Sequence, residues 1–188
     1  GWNAMTLAAY EGQVDVIKAI YKLDSELLKE QDIGGWNAMT KAAYEGQVDM
    51  IKVIYDLDSE LLKEQDEIGN NAMTKAVSIG QVDVIKAIYE LDKTLLKEQD
   101  EGGNNAMTKA AYKGQVDMIK AIYELDSTLL KEQDKGGWNA MTLAAYEGQV
   151  DVIKGIYELD SMLLKEQDKV GWNAMTKAAS IGQVDVIK

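Results

Sequence analysis

Four residue types are missing from this 188-residue chain altogether: cysteine, histidine, proline and phenylalanine. Without cysteine no disulfide can form, and the redox compartment leaves no mark on the sequence. The commonest zinc and transition-metal ligands are absent, so no metal site is expected. Ser25, Thr6 and their equivalents have no imidazole to activate them as nucleophiles. Basic residues are also in deficit, 20 Lys and Arg against 32 Asp and Glu, for a net charge of -12. Nucleic-acid binding depends on clustered Lys and Arg, so such a partner is not expected, nor is an anionic membrane surface. No apolar run approaches the length of a membrane span. No basic-then-apolar leader opens the chain, where Gly1-Trp2-Asn3-Ala4 already reads as mature sequence. A start on Gly rather than Met suggests a chain trimmed from a longer one.

What is present is a repeat. Asn-Ala-Met-Thr occurs at Asn3, Asn37, Asn71, Asn105, Asn139 and Asn173, each 34 residues after the last. Gly-Gln-Val-Asp keeps the same step from Gly12, Gly46, Gly80, Gly114, Gly148 and Gly182. Leu-Leu-Lys-Glu-Gln-Asp begins at Leu27, Leu61, Leu95, Leu129 and Leu163. The copies run 1–34, 35–68, 69–102, 103–136 and 137–170, with a partial sixth at 171–188, and the whole reads as one array.

One copy can be read from physical chemistry. Asn3 is a good N-cap, because its side-chain oxygen can accept a free N–H of the first helical turn. Met5, Ala8 and Ala9 then share a face at helical spacing. Gly12, able to adopt a left-handed conformation, stops that helix. A second helix follows with Val14, Ile17 and Ile20-Tyr21 as its apolar stripe and Asp15 in the first turn, where the dipole favours it. Asp24-Ser25-Glu26 caps a further short turn that carries Leu27 and Leu28 to the core. Asp32-Ile33-Gly34-Gly35 has tight-turn composition and ends the copy in an extended finger. Neither helix is long enough to hold in water alone. Each copy must therefore lean on its neighbours, which predicts an all-α solenoid of stacked helix-turn-helix units with short finger turns. The methionines are expected as core filler rather than as a thioether metal row.

These landmarks resemble the ankyrin repeat, a 33-residue unit opening on Thr-Pro-Leu-His-x-Ala. Asn3-Ala4-Met5-Thr6-Leu7-Ala8-Ala9 lies on that opening, and Gly12-Gln13-Val14-Asp15-Val16-Ile17 on the family's Gly-His-Leu-Glu-Val-Val. Asp32-Ile33-Gly34-Gly35 is similar to its Asp-x-x-Gly finger turn. Asn replaces the Thr cap, Ala the Pro, Thr6 the first His and Gln13 the second, and the copy is one residue longer. Thr6 is expected to stand in for the histidine bonds that tie fingers together. Trp2 and Tyr10 loosely resemble tetratricopeptide repeats, but Gly12 breaks the first helix too early and that fold's Pro is absent. Units this alike have two possible histories, an engineered or consensus-like array or recent duplication in a natural gene.

The positions at which the copies differ point to function. Offset two holds Trp2, Trp36, Asn70, Asn104, Trp138 and Trp172. Offset seven holds Leu7, Lys41, Lys75, Lys109, Leu143 and Lys177. Offset ten holds Tyr10, Tyr44, Ser78, Tyr112, Tyr146 and Ser180. Offset eleven holds Glu11, Glu45, Ile79, Lys113, Glu147 and Ile181. Offset thirty-three holds Ile33, Glu67, Glu101, Lys135 and Lys169. The resemblance implies a concave face of finger tips and first helices that holds protein partners, and an intracellular setting. All of these rows except offset seven are taken as the candidate partner-binding residues, since Trp and Tyr supply rigid amphipathic contact area. The alternative for Trp2 and its equivalents is packing of finger against finger. Carboxylate pairs such as Glu30 and Asp32 occur in every copy and form no unique cleft, so neither catalysis nor a cofactor is expected. Because the first and last copies look like interior ones, head-to-tail self-association is the second functional reading.

Overall fold

The computed structural model describes residues 1–187. Among them the regular elements are helices and short 3₁₀ turns. Contacts divide the chain into two compact units, Gly1–Leu95 and the stretch from Leu96 onward.

The first unit contains α1 (Ala4–Tyr10), α2 (Val14–Leu23), α3 (Ala38–Tyr44), α4 (Val48–Leu57), α5 (Ala72–Ile79) and α6 (Val82–Leu91). Here α1 packs on α3 and α3 on α5, while α2 packs on α4 and α4 on α6. The second unit contains α7 (Ala106–Tyr112), α8 (Val116–Leu125), α9 (Ala140–Tyr146), α10 (Val150–Leu159), α11 (Ala174–Ser180) and α12 (Val184–Ile187). There α9 lies between α7 and α11, and α10 between α8 and α12. Each unit is thus a stack of helix-turn-helix copies.

Local chemistry sets the element ends. The Asn3 side chain accepts the Thr6 N–H at 2.8 Å, and every later cap Asn does the same three residues on. Gly12 follows α1 with φ +69°, and an added Cβ would stand 2.8 Å from Gln47 Oε1, so both conformation and space demand glycine. Asp24, Asp58, Asp126 and Asp160 cap the 3₁₀ turns that follow the second helices. Each of these turns carries a Leu-Leu pair inward, and Leu61, Leu62, Leu129 and Leu130 are fully buried.

The core is made of small and flexible side chains. Ala38, Ala42, Ala43, Met39 and Met73 have no exposed surface in the first unit, nor do Ala140, Ala144 and Met141 in the second. Alanines on the first helices let neighbouring backbones approach, and methionine fills the remaining gaps. Gly155 replaces the usual Ala inside α10, where an added Cβ would lie 3.1 Å from Val116 Cγ1.

Candidate interaction surface

The finger turns are built on one aspartate each. In the first finger, Asp32 Oδ1 accepts the N–H groups of Gly34 and Trp36, at 2.8 and 3.1 Å, while the Gly35 N–H closes on the Asp32 carbonyl. Gly35, at φ +73°, permits that reversal. Asp66, Asp100, Asp134 and Asp168 each accept the N–H of the residue at offset two in the same way.

The other carboxylate oxygen of four of these aspartates meets a lysine from the first helix of the next copy. Lys41 lies 3.5 Å from Asp32, Lys75 2.6 Å from Asp66, Lys109 2.9 Å from Asp100 and Lys177 3.1 Å from Asp168. These side chains are no more than 12% exposed. Burial pushes the Asp66 carboxyl up, but the Lys75 bond, the Asn70 backbone N–H and the Lys75 charge outweigh it, and the carboxyl titrates below its ordinary range. The same opposition of burial against backbone N–H groups and lysine holds Asp32, Asp100 and Asp168 low.

The lysines also sit on the tryptophans. In the first unit the Lys41 ammonium lies 4.4 Å from the Trp2 ring centre and 4.3 Å from that of Trp36, and Lys75 lies 4.2 Å from Trp36. In the second unit Lys177 lies 4.1 Å from Trp138 and 4.7 Å from Trp172. Cation and ring attract through the ring quadrupole. Trp2, Trp36 and Trp138 each also lean on the tyrosine eight residues later, Tyr10, Tyr44 and Tyr146, at about 5 Å between centres.

The candidate partner-binding residues differ in exposure. Trp36 and Trp138 are half-buried between lysines and tyrosines, while Trp2 and Trp172 are 49% and 42% exposed. Asn70 is buried, and its amide bonds Asp66, so it is withdrawn from the surface offered to a partner. Asn104, half-buried, bonds Asp100 likewise. Tyr10, Tyr44 and Ser78 are half-buried, and Ser78 bonds the Thr74 carbonyl. Tyr112, Tyr146 and Ser180 are exposed, as are Glu11, Ile79, Lys113 and Ile181, with Glu45 and Glu147 partly so. The fingertip residues Ile33, Glu67, Glu101, Lys135 and Lys169 are all exposed. In the second unit Lys135 and Lys169 each donate to the carbonyl of the preceding fingertip, Glu101 and Lys135 respectively.

Two corrections follow from the polar contacts. Thr6 does not tie fingers together, because its hydroxyl bonds only the backbone of its own cap residue, Asn3. The ties between copies come from elsewhere, the offset-seven lysines among them. Gln47 and Gln81 add bonds to the Tyr10 and Tyr44 carbonyls of the preceding copies, at 3.5 and 3.2 Å. Each of these lysines meets an aspartate nine residues back, across a finger, which helix periodicity does not register. The clue was available: an aspartate stands nine positions before each of them.

Comparison with known proteins bears on what such a scaffold is. Family models described as ankyrin repeats match residues 5–54, for the many-copy description, and residues 89–162, for the three-copy description. The chain belongs to the ankyrin repeat family. Curated protein sequences give no match. Among solved structures, EF0377, an ankyrin repeat protein, superposes with a TM-score of 0.78 at 21% identity, covering 99% of this chain and 96% of that one. A chain from the complex of the Bd0816 predatory endopeptidase of Bdellovibrio bacteriovorus with immunity protein Bd3460 gives 0.76 at 21% identity, covering 99% and 95%. At that identity the likeness is one of fold. Ankyrin repeats in general mediate protein–protein interaction and are typically non-catalytic. No helix among the described residues is long and apolar enough to cross a membrane.

Proposed function

We propose that this ankyrin array is a non-catalytic scaffold that holds a protein partner on its finger tips and on the C-terminal ends of its first helices. The observation that carries this reading is where the near-identical copies differ. Core positions hardly vary, whereas the exposed positions do: Ile33 and Glu67 at finger tips and Glu11 and Ile79 at helix ends in the first unit, with Glu101, Lys135, Lys169, Tyr112, Lys113 and Ile181 in the second. Variation on a fixed backbone gives each copy its own contact chemistry.

The apolar members suit the role of anchors. Ile33 is 88% exposed, and such a side chain gains most when a partner covers it. The tryptophan–lysine stacks beneath act as a stiff floor, so little ordering is needed on binding. Partners selected from a display library against the full chain test the reading. Ile33→Asp with Ile79→Asp should abolish capture, while Lys52→Glu with Lys86→Glu, on the outer second helices, should leave it intact. Capture that survives the first pair and fails with the second would place the binding surface elsewhere.

A further inference from the structure

The lysine ladder of the first helices is interrupted once within the second unit. Lys109 meets Asp100 and Lys177 meets Asp168, but the residue nine positions after Asp134 is Leu143. Asp134 Oδ1 accepts the Trp138 N–H at 2.8 Å, as Asp100 and Asp168 accept the equivalent N–H in their own turns. Oδ2, the oxygen that takes the lysine elsewhere, has no hydrogen bond or ion pair among the described residues. Asp134 is half-buried, and that oxygen is not sealed from solvent.

The neighbouring side chains describe what the gap accepts. Leu143 is buried and stops at Cδ, where a lysine goes on to Cε and Nζ. Trp36 shows that one indole can carry two ammonium groups, Lys41 of its own copy and Lys75 of the next, with Tyr44 still beside it. Trp138 has Tyr146 and the next copy's Lys177, at 4.1 Å, but no ammonium from its own copy. One of its two ammonium positions is therefore unused. The wall that Trp2 gives Lys41 is also missing at this seam. Its equivalent is Asn104, a shorter side chain whose amide is drawn to Asp100, which leaves that side open to an entering chain. Two cations lie nearby, and both are already engaged: Lys135 donates to the Glu101 carbonyl at 2.6 Å, and Lys177 pairs with Asp168. The uncompensated charge at the gap is the Asp134 carboxylate, in a chain whose net charge of -12 draws cations towards it.

We infer that the protein partner sets a lysine into this gap, its ammonium pairing with Asp134 Oδ2 and lying on the Trp138 ring. It takes from outside the position that the array's own lysines fill from within at Asp100 and Asp168. Pairing a carboxylate with a cation that also stacks on an indole is specific as well as attractive, since a neutral or acidic side chain there leaves Asp134 uncompensated. The inference rests on the partner-binding reading of the array and adds one chemical requirement to it: the partner presents an exposed lysine.

Two variants of the full chain close the gap in different ways. Leu143→Lys fills it with the residue found at this offset in four other copies, and Asp134→Asn removes the charge while keeping an acceptor for the Trp138 N–H. The first measurement needs no partner. The chain is titrated with n-butylammonium chloride at constant ionic strength, and the indole N–H resonance of Trp138, identified by its loss in Trp138→Asn, is followed by NMR. The parent should show a saturable shift with half-saturation at about 0.1 M, absent from both variants. In the second measurement, partners selected from the display library should bind Leu143→Lys at least about tenfold more weakly than the parent. Exchange of one partner lysine for Ala should cost as much against the parent and little against Leu143→Lys. A urea midpoint for Leu143→Lys at or above the parent's shows that filling, not unfolding, causes the loss; where it falls, Asp134→Asn decides. No shift in the parent, or the same shift in the variants, overturns the inference whatever the array captures. Equal capture by the parent and both variants does so too. If Ile33→Asp with Ile79→Asp still abolishes that capture, the scaffold reading stands without the lysine; if it does not, the scaffold reading fails on its own account.

Discussion

Replacing Lys75 by leucine isolates the energetics of the buried ladder. Leucine is already the natural residue at this offset in Leu7 and Leu143, so the backbone accepts it. The substitution strands Asp66, whose side chain is 4% exposed. Loss of one partner from a buried pair costs about 3–5 kcal/mol when the survivor is left bare. Asp66 is not bare: it keeps the N–H groups of Ile68 and Asn70 and the Asn70 amide, at 3.1, 2.8 and 3.3 Å. Those donors bring the expected cost down to about 2–3 kcal/mol, including the lost contact between Lys75 and Trp36. Adding Asp66→Asn removes the stranded charge and keeps an acceptor for the turn, so the double variant should return to within about 1 kcal/mol of the parent. Urea unfolding at neutral pH, followed by circular dichroism and by tryptophan emission, measures all three chains. An unchanged midpoint for the single variant, or a double variant as weak as the single, would refute the reasoning.

Other consequences are equally open to measurement. Asp66 has its folded pKa lowered, so its stabilisation is present above the unfolded value of about 3.9 and is lost as pH falls through the folded value. The stability difference between the parent and the double variant should therefore shrink between about pH 5 and that lowered value, as acid titration of their urea midpoints would reveal. Gly155→Ala should raise stability by about 0.5–1 kcal/mol once the Val116 methyl shifts by a few tenths of an ångström, and a lowered midpoint would mean that Val116 cannot move. Gly46→Ala should cost about 1–2 kcal/mol from the left-handed backbone alone, because φ is +80°, with a further loss where the new Cβ meets Gln81 Oε1. Asn105→Ala should cost about 1–2 kcal/mol by releasing the Thr108 N–H and the Glu132 carboxylate, readable as a shifted thermal midpoint.

The fold was legible because its boundaries are written in residues with one strong local preference. The cap asparagines and the glycine stops declare helix ends without reference to anything distant, and the 34-residue period does the rest. The polar interior was less legible. Lysine on a short helix next to alanines reads as a solvated residue until the preceding finger is folded back over it, and the aspartate nine positions back is the one local hint of where Lys41 ends. The Thr6 expectation failed for a related reason. It carried over a long-range bond from the family's histidine, whereas a hydroxyl reaches only its own cap. Sequence offers two roles for the tryptophans, contact with a partner or packing within the array; Trp2 and Trp172 stay exposed, whereas Trp36 lies 4.3 and 4.2 Å from the Lys41 and Lys75 ammonium groups.

The lysine–aspartate pairing also governs how such a gene can grow. Every finger supplies an aspartate, whichever copy comes next. A lysine-bearing copy finds its counter-charge waiting, and a leucine-bearing one, as at Leu143, leaves the aspartate before it, here Asp134, to the Trp138 N–H of its own turn. Lysine-bearing copies can therefore be inserted, deleted or reordered without stranding a charge in the interior. The array can change its length by unequal recombination while its electrostatics stay in order, and the exposed rows are left free to diversify.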